Sequence, residues 1–223
     1  MAVTESAINR IKEMIVSGEL RPGDRLPKEA DLADRLGLSR NSLREAVSAL
    51  SLVNVLDVRQ GDGTYVTSLE PKLLLETLSF IVDFHRDDTV LHFFEVRRIL
   101  DPAAASMAAV HMTSDDTAEL ATILAELNDH ASVESLVAND LRFHQRIAEG
   151  SGNPVLASLL DTLSAPTTRA RIWRGLTQQG AVERTRDQHT AIYQAIAARQ
   201  PEVARAWATV HIADVENWLR TVP

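Results

Sequence analysis

Apolar positions recur every three or four residues through most of this chain, with one short stretch that alternates instead. Ile8, Ile11 and Ile15 mark a first short helix, stopped by Gly18 and by Pro22-Gly23. A second runs from Pro27, well suited to a first helical turn, to Leu36, with Leu32 and Leu36 on one face and Gly37 just past its end. Ser39 sits where an N-cap belongs, and a third helix follows from Arg40 to Leu52. Gly37-Leu38-Ser39 is then a three-residue turn between two short helices, the connection of a helix-turn-helix. Alternation takes over in Val55-Leu56-Asp57-Val58-Arg59, Gln60-Gly61-Asp62-Gly63 supplies turn chemistry, and Thr64-Tyr65-Val66 resumes the extended pattern. These residues predict a β-hairpin wing.

From Pro71 the helical period returns, in about seven segments near 71–85, 89–111, 115–129, 134–149, 154–174, 184–199 and 201–219. Asp87-Asp88 and Thr113-Ser114-Asp115 supply caps, Gly150-Ser151-Gly152 stops one helix, Asn153-Pro154 starts the next, and Pro201 opens the last. Gly175 to Gly180 reads as a mobile loop. The fold class is therefore mainly α. A winged helix-turn-helix of three helices plus a hairpin occupies residues 1–68, and an all-α antiparallel bundle occupies residues 69–223.

Composition narrows the functional classes. The chain has 223 residues, 45% hydrophobic and 24% charged, the proportions of a globular protein without a membrane span. It contains no Cys, which removes disulfides, thiol nucleophiles and Cys-type zinc sites, and its first residues lack a signal-peptide pattern, so a cytoplasmic address is expected. The net charge of -8 argues at first against a nucleic-acid partner. Locally the balance differs: residues 1–68 carry nine Lys and Arg against ten Asp and Glu, and the remainder 14 against 21.

On the third helix Leu43, Ala46, Val47 and Leu50 form one apolar arc, while Arg40, Asn41, Arg44 and Ser48 cluster on another. Two Arg at i and i+4 with an Asn beside them suit a recognition helix entering a major groove, where Arg pairs with guanine or phosphate and Asn with adenine. An isolated Arg pair more often marks a solvated face; the adjoining wing, with Arg59 placed to reach phosphate, tips the balance towards DNA. The run from Leu26-Pro27-Lys28-Glu29 through Leu38-Ser39-Arg40-Asn41-Ser42-Leu43-Arg44-Glu45-Ala46 to Arg59-Gln60-Gly61-Asp62-Gly63-Thr64-Tyr65-Val66 resembles the GntR family of bacterial transcription factors. That resemblance implies DNA contacts by Arg40 and Arg44 and wing contacts by Gln60 and Gly61. Three positions depart from the family pattern: Lys28 stands in place of a usual Ser, Ala30 of a usual Arg, and Asn54 of a usual Gly.

The second part carries its chemistry on faces that should be buried. Around residues 134–149, Leu136, Val137, Phe143 and Ile147 define an apolar arc with Asp140 and His144 in its middle, whereas Arg142, Gln145 and Glu149 point away. His189 is flanked by Ile192, Tyr193 and Ile196, and His211 by Val203, Trp207, Val215 and Trp218. Three helices thus aim one carboxylate and three imidazoles inward, a costly arrangement that one divalent metal would satisfy. His92 falls on a polar side, and His85, His111 and His130 at helix ends, so they stay outside this set. Arg97 is a fifth inward polar residue, among Phe93, Leu100, Ala104 and Ala108; it either grips an effector carboxylate or is neutralised by Asp101.

This pattern is similar to the FCD ligand-sensing domain of the FadR subfamily of GntR proteins, over roughly residues 75–220. It rests on Asp140-Leu141-Arg142-Phe143-His144, Asp187-Gln188-His189, His211, Glu95-Val96-Arg97-Arg98 and Ser151-Gly152-Asn153-Pro154, with Gln188 standing where a Glu is usual. The resemblance implies a divalent metal, zinc first with nickel and manganese as alternatives, and a small organic or sugar acid as effector. The expected protein is a homodimeric repressor on a pseudo-palindromic operator. Two competitors stay open: a metal-dependent hydrolase or lyase, and a regulator whose metal is purely structural.

Overall fold

In the computed structural model, residues 2–73, 89–126 and 132–221 are described. The chain divides into two compact units, Met1–Thr77 and Leu78–Pro223, so the first runs past the 68/69 boundary read from the sequence. Leu69 packs on the first unit's core, and Asn54 Nδ2 donates to the Leu73 carbonyl at 2.9 Å.

The first unit contains α1 (Ala2–Val16), α2 (Glu29–Leu36), α3 (Arg40–Leu52), β1 (Leu56–Arg59) and β2 (Gly63–Val66). Its core joins Ala7, Ile11 and Met14 of α1 to Leu32, Leu43, Ala46, Leu50, Leu56 and Val66. The buried stripe of α1 is therefore centred one position away from the Ile8/Ile15 edge that the apolar spacing suggests. Ser39 caps α3, its hydroxyl accepting from Ser42 N at 3.1 Å, and Gly37 ends α2 in the left-handed conformation. Lys28 precedes α2 without a side-chain cap, the direct consequence of lacking a hydroxyl there. Asn54 takes a positive φ of 57°, which its short polar side chain tolerates.

β1 and β2 pair antiparallel, Leu56 opposite Val66 and Arg59 opposite Gly63. A third extended segment, unread in the sequence, lines β2: Leu26 N donates to Thr64 O at 2.8 Å and Val66 N to Asp24 O at 2.9 Å, with Arg25 bridged to Tyr65. One bridge is too short to leave a period-two pattern.

The second unit contains α4 (Thr89–His111), α5 (Ser114–Ala125), α6 (Val133–Gly150), α7 (Pro154–Thr177), α8 (Ala181–Ala197) and α9 (Pro201–Thr221). Beyond Pro71–Leu73, the segment expected over 71–85 lies outside the described residues, as do 127–129, His85 and His130. Thr113 and Asp116 form a capping box at α5, and Asn153 Oδ1 accepts from Val155 N and Leu156 N to start α7. The loop expected from Gly175 to Gly180 is confined to residues 178–180, residues 175–177 being helical. α7 continues to Thr177 because Arg174 is held by Asp214 and Gln178, and this tertiary anchoring outweighs the roughly 1 kcal/mol that a helical Gly costs.

α4 and α9 pack along each other, with α7, α6 and α8 completing the bundle. The core joins Ala104, Ala105 and Ala108 of α4 to Leu120, Phe143, Ile147, Leu156, Ile192, Ile196 and Ala208. Small residues on α4 let its neighbours approach closely. On α9 the buried face is Ala204, Ala208, His211, Ile212 and Val215, whereas Val203 and Trp207, expected beside His211, are about half exposed.

Candidate functional site

In the first unit, α3 turns its apolar arc inward and leaves Arg40, Asn41 and Arg44 exposed, as are Arg59, Gln60 and Gly61 at the wing. Arg44 Nε donates to the Glu29 carboxylate at 2.9 Å, which holds the guanidinium beside α2. Arg59 Nε donates to Asp57 at 2.9 Å, and its guanidinium carbon lies 4.3 Å from the Tyr65 ring centroid. Both cations are exposed and each is paired with a neighbouring carboxylate. Arg25, which the sequence does not single out, donates to the Asp62 carbonyl and steadies the wing turn. A Cβ at Gly63 would come within 2.5 Å of Arg25 Nε, so a larger residue there would displace the exposed tip of that side chain.

In the second unit, Asp140 and His144 of α6, His189 of α8 and His211 of α9 converge, with one ligand atom from each all within 4.8 Å of one another. His211 Nε2 lies 3.1 Å from His144 Nε2 and 3.3 Å from His189 Nε2, and Asp140 Oδ1 lies 3.4 Å from His189 Nε2 and 3.6 Å from His144 Nε2. Tetrahedral coordination with bonds of about 2.0–2.1 Å separates donor atoms by about 3.3–3.4 Å, so the four separations of 3.1–3.6 Å suit a cation such as zinc, while the overall spread of 4.8 Å requires the ligands to draw inward on binding it.

The far side of three of these groups is held outward. His144 Nδ1 is 3.2 Å from Asp101 Oδ1, His211 Nδ1 is 2.9 Å from Gln188 Oε1, and Asp140 Oδ2 accepts from Arg171 Nη1 at 2.6 Å. Such partners orient metal-binding imidazoles and select the tautomer that leaves Nε2 bare. The third ring, His189, is stacked on Phe143 with centroids 4.1 Å apart. Burial opposes charge throughout, but His144 and His189 together hold the Asp140 carboxyl well below the usual carboxylate range. Burial likewise disfavours the His144 imidazolium, yet Asp101 and Asp140 outweigh it and push that group up to about 9. His189 and His211 are lowered by burial, His211 further by its two neighbouring imidazoles.

Arg97 is fully buried, but its fork faces Asp101: Nε and Nη2 each donate at 3.0 Å, and Nη1 donates to Thr167 Oγ1 at 3.1 Å. Of the two roles left open for it, this conformation displays neutralisation by Asp101. Arg97 still borders a cavity of about 70 Å³ that also touches Asp140, His144, Arg171, Asn139 and Thr185. Arg171 Nη2, Asn139 Oδ1 and His189 Nδ1, buried polar atoms of that lining, lack a partner among the described residues. Asn139's other amide atom donates to Ile123 O at 2.6 Å, which fixes the orientation of the group. Arg171 and Arg174 escaped the sequence reading because helix α7 shows almost no amphipathic contrast, so no polar residue stands out on an apolar face.

Comparison with known proteins accords with both parts. Residues 3–66 match the model described as bacterial regulatory proteins, gntR family, and residues 92–214 match the FCD domain. The chain is 33% identical over 212 residues to the HTH-type transcriptional regulator LutR of Bacillus subtilis, covering 92% of this chain and 96% of that protein. It is 27% identical to the galactonate operon transcriptional repressor of Escherichia coli, covering 98% and 97% of the two chains. It is 29% identical to the putative L-lactate dehydrogenase operon regulatory protein of the same organism, covering 98% and 86%. A solved structure of Streptococcus agalactiae GntR superimposes with a TM-score of 0.73 at 28% identity, over 96% of this chain and 99% of that one.

Proposed function

This chain belongs to the GntR family of bacterial regulatory proteins and carries an FCD domain, and from that premise we propose that it is a homodimeric repressor whose operator affinity is set by a small hydroxy acid bound beside a divalent metal. Its domains and the relatives named above are all transcriptional regulators, so it is a regulator and not an enzyme. No helix among the described residues is long and apolar enough to cross a membrane, and the site of action is the cytoplasm, where operator DNA lies.

The reading is carried by the convergence of Asp140, His144, His189 and His211 beside a cavity with an unpartnered cationic donor and an unpartnered acceptor. A metal bound there, zinc before nickel or manganese, would supply a Lewis-acid charge for an oxygen-bearing anion. Arg171 Nη2 calls for a carboxylate oxygen, and Asn139 Oδ1 calls for a hydroxyl donor. Arg97 shares the same wall with its charge met by Asp101, and an effector carboxylate would have to compete with that pair. The cavity has room for roughly five waters, which suits a short-chain acid. Two relatives carry galactonate and L-lactate operons in their names, which favours the same ligand class.

In the winged unit Arg40, Asn41 and Arg44 read the major groove while Arg59, Gln60 and Gly61 follow the backbone, and two copies match two half-sites. The effector lowers DNA affinity by binding the DNA-free conformation more tightly.

The test has three parts: elemental analysis, a thermal-shift screen of hydroxy acids, and fluorescence anisotropy on an operator selected from random-sequence DNA. One metal per chain, stabilisation by a hydroxy acid only in the metal-loaded protein, and release of the operator by that acid are expected. Metal without any acid effect would establish a structural site, and absence of metal uptake would remove the site reading altogether.

A further inference from the structure

Helix α7 contributes none of the four candidate ligands, yet three of its residues connect to three of them by separate routes. Thr167 Oγ1 accepts from Arg97, whose fork holds Asp101, which in turn lies against His144 Nδ1. Arg171 donates directly to Asp140 at 2.6 Å. Arg174 donates to Asp214, to which Gln188 Nε2 donates at 3.4 Å while its Oε1 lies 2.9 Å from His211 Nδ1. Positions 167, 171 and 174 are i, i+4 and i+7, a single stripe along one helix face. Thr167 is 0% and Arg174 3% exposed, so these connections are shielded from competing water. His189 has no such route; its Nδ1 has no hydrogen-bond partner among the described residues.

We propose that Thr167, Arg171 and Arg174 are positioning residues that tie His144, Asp140 and His211 to one rigid helix, so that α7 registers whether the cluster is occupied. The proposal rests on the metal reading above. Drawing three ligand atoms onto a cation moves each imidazole or carboxylate by a few tenths of an ångström, and because the three links share one helix these displacements act on α7 together. The opposite, exposed face of α7 carries Trp173, whose ring lies edge-on to Trp218 of α9 with centroids 5.4 Å apart. That pair is a built-in optical probe of α7 against α9.

The experiment uses the full chain in a Trp207→Phe background, which leaves Trp173 and Trp218 as the only tryptophans, excited selectively over tyrosine. Zinc is titrated into metal-free protein, and affinity and tryptophan emission are read together. Zinc should change the emission, and Trp173→Phe should abolish the change without altering zinc affinity. Thr167→Val and Arg174→Gln should each weaken zinc binding by about 10–100-fold, the usual cost of losing an outer partner. Because both act through one helix, the double variant should fall well short of the product of the two single effects. Thr167→Ser, which keeps the hydroxyl, should restore both affinity and emission response. Independent, multiplicative effects would overturn the proposal, as would tight zinc binding with unchanged emission or a Thr167→Ser protein behaving like Thr167→Val. Failure of the wild-type chain to bind zinc at all would instead bring down the metal reading beneath it.

Discussion

His144 has both ring nitrogens committed in the metal-free protein, Nδ1 to Asp101 and Nε2 towards His211, and two carboxylates push its imidazolium up to about 9. A cation at Nε2 must displace that proton. Apparent zinc affinity should therefore rise with pH up to about 9, with proton release on titration in weakly buffered solution at pH 7; uptake without proton release would show His144 outside the ligand set. Arg97 gives a second test at this scale. Its pairing with Asp101 is buried at 1% and 6% exposure, so Arg97→Met strands a carboxylate and should cost about 3–5 kcal/mol in urea denaturation of the metal-free chain. An effector ligand without that structural part would leave stability unchanged. The inward placement of Asp140, His144, His189 and His211 was legible because each interrupts an apolar arc. Arg171 was not, since its neighbours on α7 do not define one.

At the level of elements, capping separates two helices that look alike in sequence. α3 begins at a Ser whose hydroxyl accepts from Ser42 N, whereas α2 begins after Lys28, which offers no acceptor. Lys28→Ser should stabilise α2 by about 0.5–1 kcal/mol, read as slower hydrogen exchange at Ala30 and Asp31, and Ser39→Ala should destabilise α3 by about 1 kcal/mol. Equal exchange at α2 in both proteins would mean that its first turn is held by something other than a cap. Helix starts and stops at Gly37, Ser39, Gly150, Asn153 and Pro201 were readable for the same local reason. The continuation of α7 through Gly175 was not, because its support comes from Asp214 of α9, 40 residues away in sequence.

For the whole molecule, two compact units with separate cores imply two separable responses. Removing metal with a chelator should lower the melting transition of Leu78–Pro223 and leave that of Met1–Thr77 in place. At a cation concentration one hundred times Kd, the stabilisation lost is about 2.7 kcal/mol, measurable by calorimetry. A shift of both transitions together would show that the units unfold as one. The division of charge follows the same plan: most of the excess acid lies beyond residue 68, so the net -8 describes the second unit more than the winged one. By itself the sequence determined the elements, the winged head and the four inward polar groups, because periodicity, caps and burial of polar side chains are local or single-face properties. Only the tertiary structure decided which atoms meet. It turned the Arg97 fork to Asp101, brought Arg171 to Asp140, laid residues 24–26 along the wing and left Asn139 Oδ1 and Arg171 Nη2 at the cavity without partners. Arg97 also reaches Thr167, 70 positions away, and no periodic pattern along a chain encodes a distance between helices.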